Sequence, residues 1–244
     1  MNHSTQSEWP RRLDALREEA RSSTASALGR TPNLQRNANL NKRLGKLADE
    51  QIRQLLAPLQ GVSEEGRERM APKCREGCSH CCYQWVRVSI PEVLAITEYI
   101  FSNCDEQQVA SFRAAAEHYR KEWANVTKGT RPTIACPLLV NDRCAVYPVR
   151  PLIGRGVLSL DVQSCIERKE YPDRDVPIPI IGPVAQIAWS LKEGLQESLN
   201  DLELPAYDVV LGLAIRIALS DPDAGSRYLQ GEDVFAEAKA PESP

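Results

Sequence analysis

The chain has few aromatic residues and no long apolar run. Aromatic residues make up 6% of its 244 positions, so a core must be built mainly of Leu, Val, Ile and Ala. The longest apolar stretch, Val209 to Leu219, is interrupted by Arg216 and is too short to span a bilayer. The first ten residues contain no apolar segment of the kind that a secretory signal peptide requires. These absences predict a cytoplasmic protein without a membrane partner.

The common catalytic motifs are also absent. The sequence contains no Ser/His/Asp elbow, no Gly-rich phosphate loop and no HExxH pair. It has three histidines, of which His80 lies within a cysteine-rich segment and is a candidate substitute ligand. A histidine next to metal ligands on a loop more often does not bind the metal itself. His3 is assigned to a terminus, and His118 is assigned to a helix surface. The sequence leaves open whether the protein is an enzyme.

Charge gives a weak indication of a partner. The whole chain carries a net charge of −3, which gives no argument for nucleic acid. Residues 1–75 hold 14 Lys and Arg against 9 Asp and Glu, an excess that could dock an acidic partner. No aromatic residues are interleaved with these charges and no binding motif accompanies them, which argues against nucleic acid and leaves a protein partner open.

Helical spacing of apolar residues accounts for most of the chain. Ser89, Pro91 and Glu92 are typical of a helix N-terminus. The segment from Ser22 to Asn41, rich in Ser, Thr, Asn and Gly, is interpreted as a linker or weakly ordered stretch. Helices are predicted over residues 11–28, from residue 44 onward, from Ser89, over Asp105 to Trp123, and at 184–199 and 206–219.

The expected fold is mainly α, a helical domain built around an irregular cysteine-rich metal-binding core with one small β-hairpin. The hairpin is predicted between Ile134 and Tyr147, with Asn141 and Asp142 at its tip. Four parts are predicted: an N-terminal helical extension with a weakly ordered linker (1–70), a cysteine-cluster metal-binding domain (71–170), a C-terminal helix pair packing on it (171–219), and a loose acidic tail (220–244).

Clustered cysteines are the strongest chemical signal. In a reducing compartment, clustered thiols are more often metal ligands or redox groups than a disulfide framework. Short spacings in a loop bring several sulfur atoms together at little entropic cost. Neighbouring side chains in an extended backbone point apart. The adjacent pair in this cluster therefore indicates two metal positions, a multinuclear cluster, or one ligand beside a redox-active or packing thiol. The cluster is Cys74-x3-Cys78-x2-Cys81-Cys82.

Three further candidates lie downstream. Cys136, Cys144 and Cys165 fall near turns or element ends. A two-residue hairpin tip would put Cys136 and Cys144 on opposite faces, whereas a three-residue tip would put them on one face. Cys104 differs, since it lies at the junction of two predicted helices, and it is interpreted as a small buried apolar side chain.

These motifs together resemble the YkgJ-type cysteine-cluster family, described as a zinc- or iron-chelating domain. The resemblance covers residues 74–165 and rests on Cys74-Arg-Glu-Gly-Cys78-Ser-His-Cys81-Cys82, Cys136-Pro-Leu-Leu, Arg143-Cys144-Ala-Val-Tyr147 and Arg150-Pro151. It implies that the metal-site positions are Cys74, Cys78, Cys81, Cys82, Cys136, Cys144 and Cys165. The family usually has a further cysteine before an arginine where this chain has Gly154-Arg155, so the site here has one thiol fewer.

The expected cofactor is an iron–sulfur cluster or zinc, because soft thiolate ligands suit both. Zinc bound by four thiolates would be structural, whereas an iron–sulfur cluster would permit electron transfer. The principal hypothesis is therefore a metal-binding protein. One alternative is an iron–sulfur enzyme or redox carrier, with flagellin lysine N-methylase as a relative that carries a similar cluster. The other is a metal-free redox-active thiol protein.

Overall fold

Helices form wherever apolar residues recur at helical spacing. The computed structural model describes residues 3–57, 62–127 and 132–241, and the side chains from residue 8 onward. The α-helices are α1 (His3–Leu28), α2 (Leu34–Leu56), α3 (Glu64–Met70), α4 (Ile90–Asn103), α5 (Glu106–Ala124), α6 (Leu152–Gly156), α7 (Val162–Glu170), α8 (Gly182–Asp201), α9 (Leu211–Ser220) and α10 (Ala224–Leu229). The prediction of a mainly α fold is confirmed.

Two small antiparallel sheets accompany the helices. Strand β1 (Arg87–Val88) pairs with β4 (Val209–Val210), with Arg87 opposite Val210. This pairing joins the start of the α4 segment to the start of the α9 segment. Strands β2 (Leu139–Val140) and β3 (Arg143–Cys144) form the predicted hairpin.

The core lies between α8 and the helices packed around it. Helix α1 packs along α8, α2 contacts α4, α6 and α8, and α5 packs on α9. Helices α1 and α8 run parallel, since Trp9 lies beside Gln186 near the start of both helices and Arg21 contacts Asp201 further along. The most deeply buried side chains come from many parts of the chain, including Leu44, Ile96, Leu191 and Tyr228.

Side-chain caps fix the helix starts that the sequence predicted. The Ser89 N–H and hydroxyl both donate to Glu92 Oε2 at 2.8 Å, which closes a capping box at α4. Asp105 and Gln108 form a second box at α5. Because each cap satisfies backbone N–H groups that have no partner inside the helix, these residues determine where the chain becomes helical.

The segment from Ser22 to Asn41 differs from the expected linker. Helix α1 continues to Leu28 and α2 begins at Leu34, so only five residues separate them. The Asn37 side chain is fully buried and donates to the carbonyl oxygen of Pro91 at 2.9 Å. The expectation of weak order is therefore wrong, because burial against α4 outweighs the low helix propensity of these polar residues.

The segment after Ser220 is likewise packed rather than loose. It forms α10, and Tyr228 and Phe235 are fully buried with their rings edge to face at 6.1 Å. The Ala240 N–H donates to the Asp208 carbonyl at 2.8 Å. The predicted loose tail is thus corrected up to residue 241, since two aromatic rings anchor it to the core; the last three residues lie outside the described part. None of the described helices is both long and apolar enough to cross a bilayer.

Candidate metal centre

A short irregular segment carries the first four candidate cysteines. The Cys78 N–H donates to the Arg75 carbonyl at 3.0 Å, closing a turn in which Gly77 adopts a φ of 86°. A 3-10 turn, His80–Tyr83, follows and contains Cys81 and Cys82. The turn curls the backbone, so the alternation expected of an extended strand does not govern these two neighbouring side chains.

Backbone hydrogen bonds bring the second group of cysteines to this segment. The Cys136 N–H donates to the carbonyl oxygen of Cys82 at 2.7 Å. Cys144 lies on β3 opposite Leu139. Asn141 and Asp142 form the hairpin tip, as the sequence predicted; the tip has two residues, and both have positive φ. Cys136 precedes β2 in a turn, so the argument about opposite faces does not apply to it.

Helix α7 and the residues before it supply the last cysteine. Cys165 is buried on α7, which packs against the His80–Tyr83 turn. Ser159 connects this region to the first segment, because its carbonyl accepts from the Lys73 N–H at 2.8 Å and its N–H donates to Cys74 Sγ at 3.2 Å. An N–H donor aimed at a sulfur atom stabilises the thiolate over the thiol.

Cys81 affects the pKa of more of the candidate thiols than any other described cysteine does. Burial raises the pKa of Cys74, Cys136, Cys144 and Cys165, and the charge of Cys81 raises the pKa of each of them further. The pKa of Cys136 reaches about 12. The pKa of Cys81 itself is raised, chiefly through the side-chain hydrogen bond with Cys82.

Cys78 belongs to the same group, because its charge raises the pKa of Cys74 and of Cys165. All seven thiols selected from the sequence are therefore close enough to influence at least one other member. Cys104 is separate: it caps the C-terminal end of α4 and packs against the apolar core, but it is partly buried rather than buried as the sequence predicted. His80 lies within the 3-10 turn and is half-buried.

Within the described residues, no three or more His, Cys, Asp or Glu side chains are arranged closely enough to hold a metal ion. The thiols are thus gathered in one region without forming a finished coordination sphere. Comparison with known proteins adds no relative. No family model, curated protein or solved structure matches the chain.

The donor set suits a thiolate-bound metal. Zinc and iron–sulfur clusters are each held by four ligands that are commonly all cysteine, and seven thiols exceed that number. The side-chain nitrogen of Gln84, two residues after Cys82, is buried without a hydrogen-bond partner among the described residues. Such an N–H donor near a metal site is of the kind that hydrogen-bonds to ligand sulfur.

Two residues outside the cysteine set, Ser159 and Arg150, act on the candidate thiols. Ser159 binds Cys74 only because the chain before α7 returns to the first segment, 85 positions away. Arg150 stacks on Tyr147 at 4.1 Å, and its charge lowers the pKa of Cys144 against the larger effect of burial. Arg150 was part of the family resemblance, whereas no local signal pointed to Ser159.

The position that lacks the expected family cysteine has room for a side chain. Gly154 lies on α6, and a Cβ built there would meet only Arg150 and Pro151, at 4.0 Å. A larger side chain at this position would make only ordinary van der Waals contacts with these two neighbours. The glycine is therefore not required by close packing.

Proposed function

We propose that the chain is a metal-binding protein that coordinates zinc or an iron–sulfur cluster through clustered cysteine thiolates. The ligands would be drawn from Cys74, Cys78, Cys81, Cys82, Cys136, Cys144 and Cys165. The observation that carries this proposal is the meeting of three cysteine-bearing segments, joined where the Cys136 N–H donates to the Cys82 carbonyl and the Ser159 N–H donates to Cys74 Sγ.

Metal binding would complete the coordination sphere. Three separate segments, the 74–82 loop, the hairpin and α7, meet through hydrogen bonds at Cys136 and Ser159. A ligand set seldom adopts its final geometry without the metal, so small movements of these loops would bring four sulfur atoms to one ion or cluster. Because the raised pKa values favour thiols over thiolates, binding must displace protons. When bound, zinc would cross-link the three segments, and an iron–sulfur cluster would add one-electron chemistry.

The test is metal and sulfide analysis of anaerobically purified protein, repeated on single variants. Cys81→Ala and Cys78→Ala each remove one candidate ligand, so both are expected to lower the bound metal to less than about half of the parent value. Cys104→Ala, the matched control, is expected to retain the parent stoichiometry and the parent melting temperature.

The result also separates the alternatives. Iron with acid-labile sulfide would favour the iron–sulfur redox hypothesis, and zinc alone would favour a structural centre. Protein that stays folded without any metal, with no loss of stability in Cys78→Ala or Cys81→Ala, would overturn the proposal and favour a metal-free thiol protein.

A further inference from the structure

A polar cleft lies between α2 and α4 and is bounded at one side by the residues that follow the hairpin. Its volume is about 500 Å³, within the range of roughly 300–1,000 Å³ that small-molecule sites occupy. Residues of α2 form one wall, Glu98 and Tyr99 of α4 lie on the other, and Arg150 lies at the hairpin side. No cysteine lines it, so none of the candidate ligands belongs to the cleft, although Arg150 lies beside both the cleft and Cys144.

Two lysines in this cleft have no anionic partner. Lys42 and Lys46 are one helical turn apart on α2, both are exposed, and both line the cleft. Over the described part of the chain, neither makes an ion pair. Side chains four residues apart lie on the same helix face, so their two positive charges act on the same space.

The acidic groups of the cleft are mostly engaged elsewhere. Asp49 lies 3.7 Å from Arg150 and also accepts from the Arg155 guanidinium. Glu92 accepts from the Leu152 N–H at 2.7 Å and from the capping box of α4. Glu98 is the remaining carboxylate on the lining. The positive charges of the two free lysines therefore exceed the negative charge of Glu98, so the cleft attracts an anionic ligand.

The floor of the cleft is rigid. The Arg155 side chain is only 7% exposed and donates to the carbonyl oxygens of Pro148 at 2.9 Å and Arg150 at 3.1 Å. It lies against Gly45, where a Cβ would approach the guanidinium to 3.1 Å. Because this guanidinium ties α2 to the chain before α6, the α2 wall and the hairpin side of the cleft are held together before any ligand arrives.

We propose that this cleft binds a small, multiply charged oxyanion, a phosphorylated or polycarboxylate metabolite, with its anionic groups beside Lys42 and Lys46. Charge-assisted hydrogen bonds from the two ammonium groups would supply most of the attraction. Glu98 and Tyr99 face the opposite side and would meet a hydrogen-bond donor or an apolar part of the ligand. Phosphate and carboxylate share this chemistry, and the choice between them is an outcome of the test.

The test is isothermal titration calorimetry of the full chain at low ionic strength with inorganic pyrophosphate and, separately, with citrate. Saturable one-to-one binding of at least one probe is expected. A Lys42→Gln/Lys46→Gln double variant is expected to bind at least about tenfold more weakly, because two charge-assisted contacts are lost. Lys121→Gln, which removes an exposed lysine on α5, is the matched control and is expected to bind as the parent does.

Pyrophosphate binding alone would identify a phosphorylated ligand, and citrate binding alone a polycarboxylate. An unchanged Kd in the double variant, or no saturable heat with either probe, would overturn the proposal. Both lysines are exposed, so an unchanged melting temperature verifies that the double variant folds. Metal analysis of the same samples tests the metal-binding proposal independently, because no cleft residue is a proposed metal ligand. Failure of oxyanion binding can therefore be told apart from failure of metal binding.

Discussion

Tyr228 shows how one buried hydroxyl makes stability depend on pH. Its side chain is fully buried, and its hydroxyl donates to the Pro205 carbonyl at 3.0 Å. Burial raises the pKa of Tyr228 well above its ordinary value of about 10. The neutral form is therefore favoured in the folded state. Its stabilisation is complete below the unfolded pKa and is lost as the pH rises through the folded one.

The Tyr228→Phe variant is expected to lose less stability at alkaline pH than the parent protein. At neutral pH the variant gives up one hydrogen bond, about 1 kcal/mol of the free energy of unfolding. Between about pH 10 and pH 12, above the ordinary tyrosine pKa, its free energy of unfolding should fall less steeply than that of the parent. Urea unfolding across this pH range measures both effects. Tyr171→Phe, at a residue that is 44% exposed, is the control and should follow the parent; an equal slope in Tyr228→Phe would contradict the assignment.

The cysteines show what single residues reveal without a structure. Spacing alone singled out Cys74, Cys78, Cys81 and Cys82, and the separate status of Cys104 at a helix end was also predicted. Spacing says nothing about which distant backbone groups will surround a thiol. The Ser159 N–H reaches Cys74 through a long-range return of the chain, which no local pattern encodes.

At the level of elements, the start of α4 does more than cap one helix. Glu92 is buried, and its two carboxylate oxygens accept from Ser89 and from the Leu152 N–H at the start of α6. One side chain therefore connects two helix N-termini that are 60 positions apart. The sequence indicated the cap, since Ser at the N-cap and Glu three residues later is a recognisable pair. It carried no sign of the second contact.

Glu92→Gln is expected to break this junction. The amide group replaces an acceptor oxygen with a donor, which leaves Ser89 or Leu152 facing N–H instead of oxygen. The expected loss is about 1–3 kcal/mol of the free energy of unfolding. Glu122→Gln, an exposed change on α5, should cost less than about 0.5 kcal/mol. Chemical denaturation of both variants measures the difference, and equal midpoints would show that the junction adds nothing.

Elements with strong local signals were predicted well. The paired caps defined α4 and α5, and the two residues at the hairpin tip both take the positive φ that Asn and Asp tolerate. Polar stretches were misinterpreted where burial decides the conformation. Asn37 is helical and its side chain is buried against α4, although the segment around it has the composition of a linker.

Across the whole molecule, the parallel contact of α1 with α8 depends on one close approach. A Cβ at Gly194 would lie 1.9 Å from the Arg17 carbonyl oxygen, so the two helix backbones meet where a side chain is missing. Sequence neighbours favour antiparallel helix pairs with short loops. A parallel pair of helices that lie far apart in the chain has no short connecting loop to indicate it. This contact could therefore not be predicted from the sequence.

Gly194→Ala is expected to force the two helices apart. Alanine ordinarily stabilises a helix relative to glycine by about 1 kcal/mol, whereas here the clash should cost about 1–3 kcal/mol. Gly182→Ala tests the same exchange at the start of α8, where nothing lies within 4 Å of the new Cβ, and should be neutral or stabilising. Thermal unfolding and limited proteolysis within α1 provide the measurements. A higher melting temperature for Gly194→Ala would refute the close approach.

The same pairing has a consequence during protein synthesis. Helix α1 leaves the ribosome before its partner α8, which follows after more than 150 residues. At about 5–20 residues per second, this delay lasts about 8–30 s. Throughout that interval the stripe of α1 that includes Leu16 and Ala20 lacks the surface that buries it in the finished fold. The nascent chain therefore exposes this apolar stripe of α1 to solvent until α8 emerges.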